Sequence, residues 1–155
     1  MRYVHNIIFK VITACFYSML LLPLCVVAEE NTDLKLYVAA KEGELGKVKS
    51  MLADGVNVNA TNSAGRSALM GAAYYGNVGI VEELVVEGVD VNTADGTGRT
   101  ALMIAVANQK MQVVEVLLNA GADPKIKDKN DKDAMQLAEK TKNKQIIKLL
   151  ETAAE

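Results

Sequence analysis

Histidine and cysteine are the side chains that most readily ligate metals or serve as base and nucleophile near neutral pH. This chain has one histidine and two cysteines, and His5, Cys15 and Cys25 all lie within its first 28 residues. That stretch differs in kind from the rest of the chain. Arg2 and Lys10 are its only charged side chains, and Val11 to Leu22 is apolar apart from Thr13 and Ser18. Pro23 breaks the run, and Val26-Val27-Ala28 places a small residue ahead of the acidic Glu29-Glu30. Basic start, apolar middle and small-residue exit predict a secretory signal peptide over residues 1–28, cut after Ala28. The alternative is an uncleaved inner-membrane anchor, because Val11 to Ala28 approaches the roughly 17 apolar residues that span a bilayer. Pro23 and the Val-x-Ala exit favour cleavage.

Cleavage takes all three reactive side chains away. The remaining 29–155 forms no disulfide and no Cys or His metal site, so it folds independently of the redox state of its compartment. Losing Arg2 and Lys10 leaves 15 basic against 19 acidic side chains, a net charge of −4. That balance gives no reason to expect nucleic acid as a partner. The periplasm is the expected location, with release from the cell or retention as an anchored protein as alternatives.

Other motifs carry little chemistry. Gly96-Thr97-Gly98-Arg99-Thr100-Ala101 matches the G-x-G-x-x-A dinucleotide fingerprint ahead of a helix. Gly98 and Arg99 recur as Gly65 and Arg66, however, so a repeat accounts for them, and the helix is too short for a βαβ unit. Asp128, Asn130, Asp131 and Asp133 resemble a calcium loop, but Lys132 stands at its fifth position and Asp133 where glycine is required. Asn59-Ala60-Thr61 is a glycosylation sequon. Without His or Cys, catalysis would rest on carboxylates, a lysine or an unactivated serine, and the acids fall mostly on outer helices and turns. No catalytic residue, no metal site and no cofactor is expected. A carboxylate-based enzyme remains as a remote alternative.

Those residues are set out on a repeating frame. Thr61 to Thr93 and Ala94 to Ile126 are two copies of a 33-residue unit. Gly65 aligns with Gly98, Arg66 with Arg99, Leu69 with Leu102, Ala72 with Ala105, Val81 with Val114 and Gly88 with Gly121. A fixed period of this length means stacked supersecondary units, each unable to bury its apolar face alone. Helices are predicted from Ala68 to Tyr75 behind a Ser67 cap, and from Val78 to Val86. The third unit has Ala101 to Ala107 behind Thr100, then Met111 to Asn119. Val56 to Ala60 and Val89 to Asn92 are expected to be extended exits. The architecture is an all-α solenoid of about four helix-turn-helix units joined by β-hairpin-like turns. Its units are an N-terminal cap over 29–60, repeats over 61–93 and 94–126, and a lysine-rich C-terminal cap over 127–155.

Gly98-Arg99-Thr100-Ala101-Leu102-Met103-Ile104-Ala105, Val113-Val114-Glu115-Val116-Leu117-Leu118 and Gly121-Ala122-Asp123 together resemble the ankyrin repeat. The resemblance runs from Leu34 to Leu150. Ala68 and Ala101 replace the family's proline at the first helical position, and Met70 and Met103 replace its histidine. Gly71 and Gly79 fall inside helices, each at a cost of about 1 kcal/mol relative to Ala, which makes the second repeat the expected soft spot.

Ankyrin stacks resemble a cupped hand with turn tips as fingers and inner helices as palm. In that register the exposed palm and finger positions are Tyr37, Lys41, Ser63, Arg66, Met70, Tyr74 and Tyr75, then Thr97, Arg99, Met103, Ala107 and Asn108, then Lys132. Arginine, tyrosine and methionine on one face match the composition of interface cores. The resemblance implies a non-enzymatic, monomeric module that binds another protein through its concave face. A signal peptide followed by a few repeats is similar to small bacterial periplasmic ankyrin proteins, some associated with catalase, which implies a periplasmic enzyme as one partner type. An immunity-type inhibitor of a toxin and a secreted host-directed effector are the alternatives.

Overall fold

Apolar residues 33 positions apart set the architecture. The computed structural model describes residues 33–153 of the chain, so the signal-peptide reading of 1–28 lies outside the described residues. Eight helices are seen among them: α1 over 33–42, α2 Leu45–Ala53, α3 Ala68–Tyr75, α4 Val78–Val86, α5 Ala101–Ala107, α6 Met111–Asn119, α7 Ala134–Thr141 and α8 Lys144–Ala153. None of the described helices is long and apolar enough to cross a membrane.

Each inner helix of the last three units starts at a side-chain cap. Ser67 Oγ accepts from the Met70 amide and Thr100 Oγ1 from the Met103 amide, both at 3.4 Å. Asp133 builds a full capping box, accepting from the Gln136 amide at 2.8 Å while Gln136 Oε1 accepts from the Asp133 amide. The backbone turns left-handed at stations one period apart: Gly43, Gly76, Gln109 and Lys142; Gly55, Gly88 and Gly121; Gly65, Gly98 and Asp131. Three of these positions carry a Cβ in a region that favours glycine.

Inner helices pack on inner helices and outer on outer, with α3 against α5, α5 against α7, α2 against α4, α4 against α6 and α6 against α8. The core keeps the same period. Leu36, Leu69 and Leu102 are buried, as are Ala39, Ala72, Ala105 and Ala138, and Leu84, Leu117 and Leu150. Each buried leucine contributes about 1.5–3 kcal/mol by leaving water. The alanines, fully enclosed, let neighbouring inner helices approach closely.

Between units the chain forms short hairpins. Thr61 pairs with Ser67 and Ala94 with Thr100 as antiparallel bridges. The hairpin tips also join one another: the Gly96 amide donates to the Ala64 carbonyl and the Lys129 amide to the Thr97 carbonyl, each at 3.0 Å. The exits after the outer helices are turns rather than extended. The Ala60 amide donates to the Asn57 carbonyl at 3.0 Å, and Asn57 Oδ1 accepts from the Asn59 amide at 2.9 Å. Asp90 and Asp123 repeat that side-chain turn at Asn92 and Lys125. The local bond wins because Asn and Asp side chains mimic a backbone turn two residues on.

Candidate protein-docking groove

The two central inner helices, α3 and α5, are enclosed along most of their length. Ala68 through Ala73 are all buried in α3, and Ala101 through Val106 in α5. A helix apolar on every side belongs in a core. Only the last turn reaches solvent, and there the sequence switches to Tyr74 and Tyr75 in one unit and Ala107 and Asn108 in the next. Tyr74 is 52% and Tyr75 49% exposed, their rings in edge contact with centroids 4.9 Å apart.

Around those helix ends lies a depression of about 360 Å³. Tyr37 and Lys41 enter from α1, Arg66 and Arg99 from the hairpins, and Tyr74, Tyr75 and Asn108 from the ends of α3 and α5. Met70 and Ile104 form part of its lining. Lys41 Nζ stands 5.8 Å from the centroid of Tyr75, within cation–π range. Asn108 is held by its own helix, donating from Nδ2 to the Ile104 carbonyl at 2.8 Å.

Met70 and Met103 were expected on the exposed palm, and the structure corrects this. They are 2% and 1% exposed, because the third position of α3 and α5 is walled in by the same packing that buries its neighbours, whereas the equivalent Gln136 in the last inner helix is exposed. Thr97 and Lys132 are also separated from that depression. They line a second one of about 470 Å³ with Ala107, Asp128 and Leu137, and Arg99 borders both. Ser63 is exposed on a hairpin and lines neither depression.

Sequence reasoning missed two residues. Ile104 forms part of the groove floor, although its counterpart one unit earlier is Gly71. Asp95 lies beneath the two arginines with a side chain 1% exposed. Its Oδ1 accepts from the Thr97 amide at 2.8 Å, the Thr97 hydroxyl at 2.6 Å and the Arg99 amide at 3.1 Å. Arg66 Nε and Arg99 Nη2 approach its Oδ2 at 3.9 and 4.0 Å. Burial pushes the Asp95 carboxyl up, but the Thr97 hydroxyl, the Arg99 and Thr97 amides and the Arg99 charge together hold it below its ordinary value. The signal was available in the repeat, since Asn62 and Asp128 occupy the same station.

The other motifs are absorbed by the turns. In the Gly96–Ala101 stretch the amides of Gly96, Thr97, Gly98 and Arg99 all donate within the hairpins. None is free to cradle a phosphate. Asp128 Oδ1 accepts from the Asn130 and Lys132 amides, Asp131 pairs with Lys127 at 2.9 Å, and Asp133 caps α7. These acids face backbone donors and a lysine instead of one another.

A hairpin, two stacked helices and a left-handed exit thus recur every 33 residues, and a family model described as ankyrin repeats in three copies matches residues 36–128. The chain belongs to the ankyrin repeat family. Its last helix pair, α7 and α8, lies beyond the matched span. No curated protein matches the chain. Ankyrin repeats generally mediate protein–protein interaction and are typically non-enzymatic.

Proposed function

We propose that this ankyrin protein is an exported, non-enzymatic module that binds a partner protein through the groove at the ends of α3 and α5. The observation that carries the reading is the convergence of Tyr37, Tyr74, Tyr75, Lys41, Arg66 and Arg99 around one depression. Tyrosine and arginine dominate the energetics of protein interfaces because each combines a large contact surface with directional donors. The adjacent exposed tyrosines make an amphipathic anchor that a single folded unit has no internal use for. Export rests on the composition of residues 1–28, and the module acts as a monomer in the periplasm after cleavage. The partner is a protein of that compartment, with a resident enzyme such as a catalase and an incoming toxin as the two types to test.

Two measurements test this reading. The mass of the native N-terminus separates a chain beginning at Glu29 from one that keeps residues 1–28. Affinity capture with the native protein, repeated with the Tyr74→Ala/Arg66→Ala variant, should yield a protein retained only by the wild type. Binding should then be reproduced with the two purified components. Equal binding by the double variant, with unchanged helicity, would move the site off the groove.

A further inference from the structure

We propose that the groove takes an acidic peptide segment of its partner, with a carboxylate held by Lys41, Arg66 and Arg99 and an adjoining apolar side chain against Tyr74 and Tyr75. This rests on the groove reading above and deepens it by naming the chemistry of the occupant. The first ground is charge. The chain as a whole is net negative at −2, yet this depression is lined by three cations and no carboxylate. The second is incomplete pairing. Asp95 is the one carboxylate within 4 Å of Arg66 and Arg99 among the described residues, its Oδ1 already taken by three donors and its Oδ2 3.9 and 4.0 Å from the guanidinium nitrogens, while Asp128 acts on Arg99 from further away. Those separations exceed hydrogen-bond length.

Among the described residues the Arg66 guanidinium donates no hydrogen bond, and Arg99 donates one, from Nε to Thr97 Oγ1 at 3.2 Å. Lys41 has no carboxylate within 4 Å among them, and its Nζ faces the Tyr75 ring. Guanidinium groups carry a fork of donors matched to a planar carboxylate. Two of them one repeat apart, with a lysine lining the same groove, present three positive charges against the two carboxylates, Asp95 and Asp128, that act on them. A segment alternating acidic and apolar side chains places its carboxylates at these cations while its apolar groups cover the tyrosines.

Selection of a displayed library of random dodecapeptides on the purified full chain tests the assignment. Recovered peptides should be enriched in Asp and Glu beside apolar residues. Their binding should weaken with rising NaCl, and should fall about tenfold with Arg66→Gln. Lys41→Gln, at a half-buried position with no ion pair among the described residues, supplies a second variant, which should weaken the same peptides while leaving helicity unchanged. Recovered peptides without acidic enrichment, yet dependent on Tyr74, would overturn the acidic assignment and leave the groove reading standing. Peptides indifferent to Tyr74 and Arg66 alike would overturn both. Equal competition by a random single-stranded oligonucleotide would replace the acidic peptide with a general polyanion.

Discussion

The ring of Tyr37 rests on Gly71. A Cβ added at Gly71 would stand 3.2 Å from Tyr37 Cε2 and 3.3 Å from the Tyr37 carbonyl oxygen. The glycine that looks like a flaw in α3 is therefore the space that lets a groove tyrosine lie against the next repeat. Gly79 is different, because a Cβ there meets only Leu45 Cδ2 at an ordinary 3.8 Å. Gly79→Ala should raise stability by about 1 kcal/mol through helix propensity. Gly71→Ala should lower it by about 1 kcal/mol, since overpacking outweighs the same propensity gain. Urea titrations of the two variants give opposite shifts in midpoint if the packing is as described.

Lys142 and Gln109 hold positive φ at the station that Gly43 and Gly76 occupy in the earlier units. A Cβ in that region costs about 1–2 kcal/mol, and a glycine returns part of the gain by loosening the unfolded chain. Lys142→Gly and Gln109→Gly should each stabilise the protein by about 0.5–1 kcal/mol. Thermal unfolding of the single and double variants checks both magnitude and additivity.

Asn77 ties two repeats together. Its Nδ2 donates to the Ala40 carbonyl at 2.7 Å and the Lys41 carbonyl at 3.2 Å, closing the end of α1. Asn77→Ala should cost about 1–2 kcal/mol. Hydrogen exchange should quicken first over 33–42, because α1 has no preceding repeat among the described residues to hold it. Uniform acceleration along the whole chain would instead mean that the repeats unfold as one unit.

Asp95 predicts an acid response. Its pKa is lowered on folding, so its stabilising contribution is present above the unfolded carboxylate value of roughly 3.9 and is lost as pH falls through the folded value. Asn62 accepts from the Ala64 and Arg66 amides in the equivalent hairpin, so Asp95→Asn should keep the turn while removing the charge. The variant should lose less stability than the wild type on titration below about pH 4. Parallel curves would mean that other carboxylates dominate acid unfolding.

The helix positions, their caps and their stacking were legible in the sequence because each depends on a feature written within one unit. Ser67, Thr100 and Asp133 announce helix starts, and the recurring Leu and Ala positions announce the core. The 33-residue period therefore determined the repeat architecture unaided. It also placed Arg66 and Arg99 at one station and Lys41 and Tyr74 at another, and the structure brings these four with Tyr37 around one depression. What it left open was depth. Met70 and Met103 share a helix with groove residues but are enclosed, Gly71 yields its space to a ring from another unit, and Asp95 lies buried beneath two arginines. Periodicity states which side chains follow one another around a helix. How far each lies from solvent depends on the helices before and after it in the stack, and only the tertiary structure brings those together.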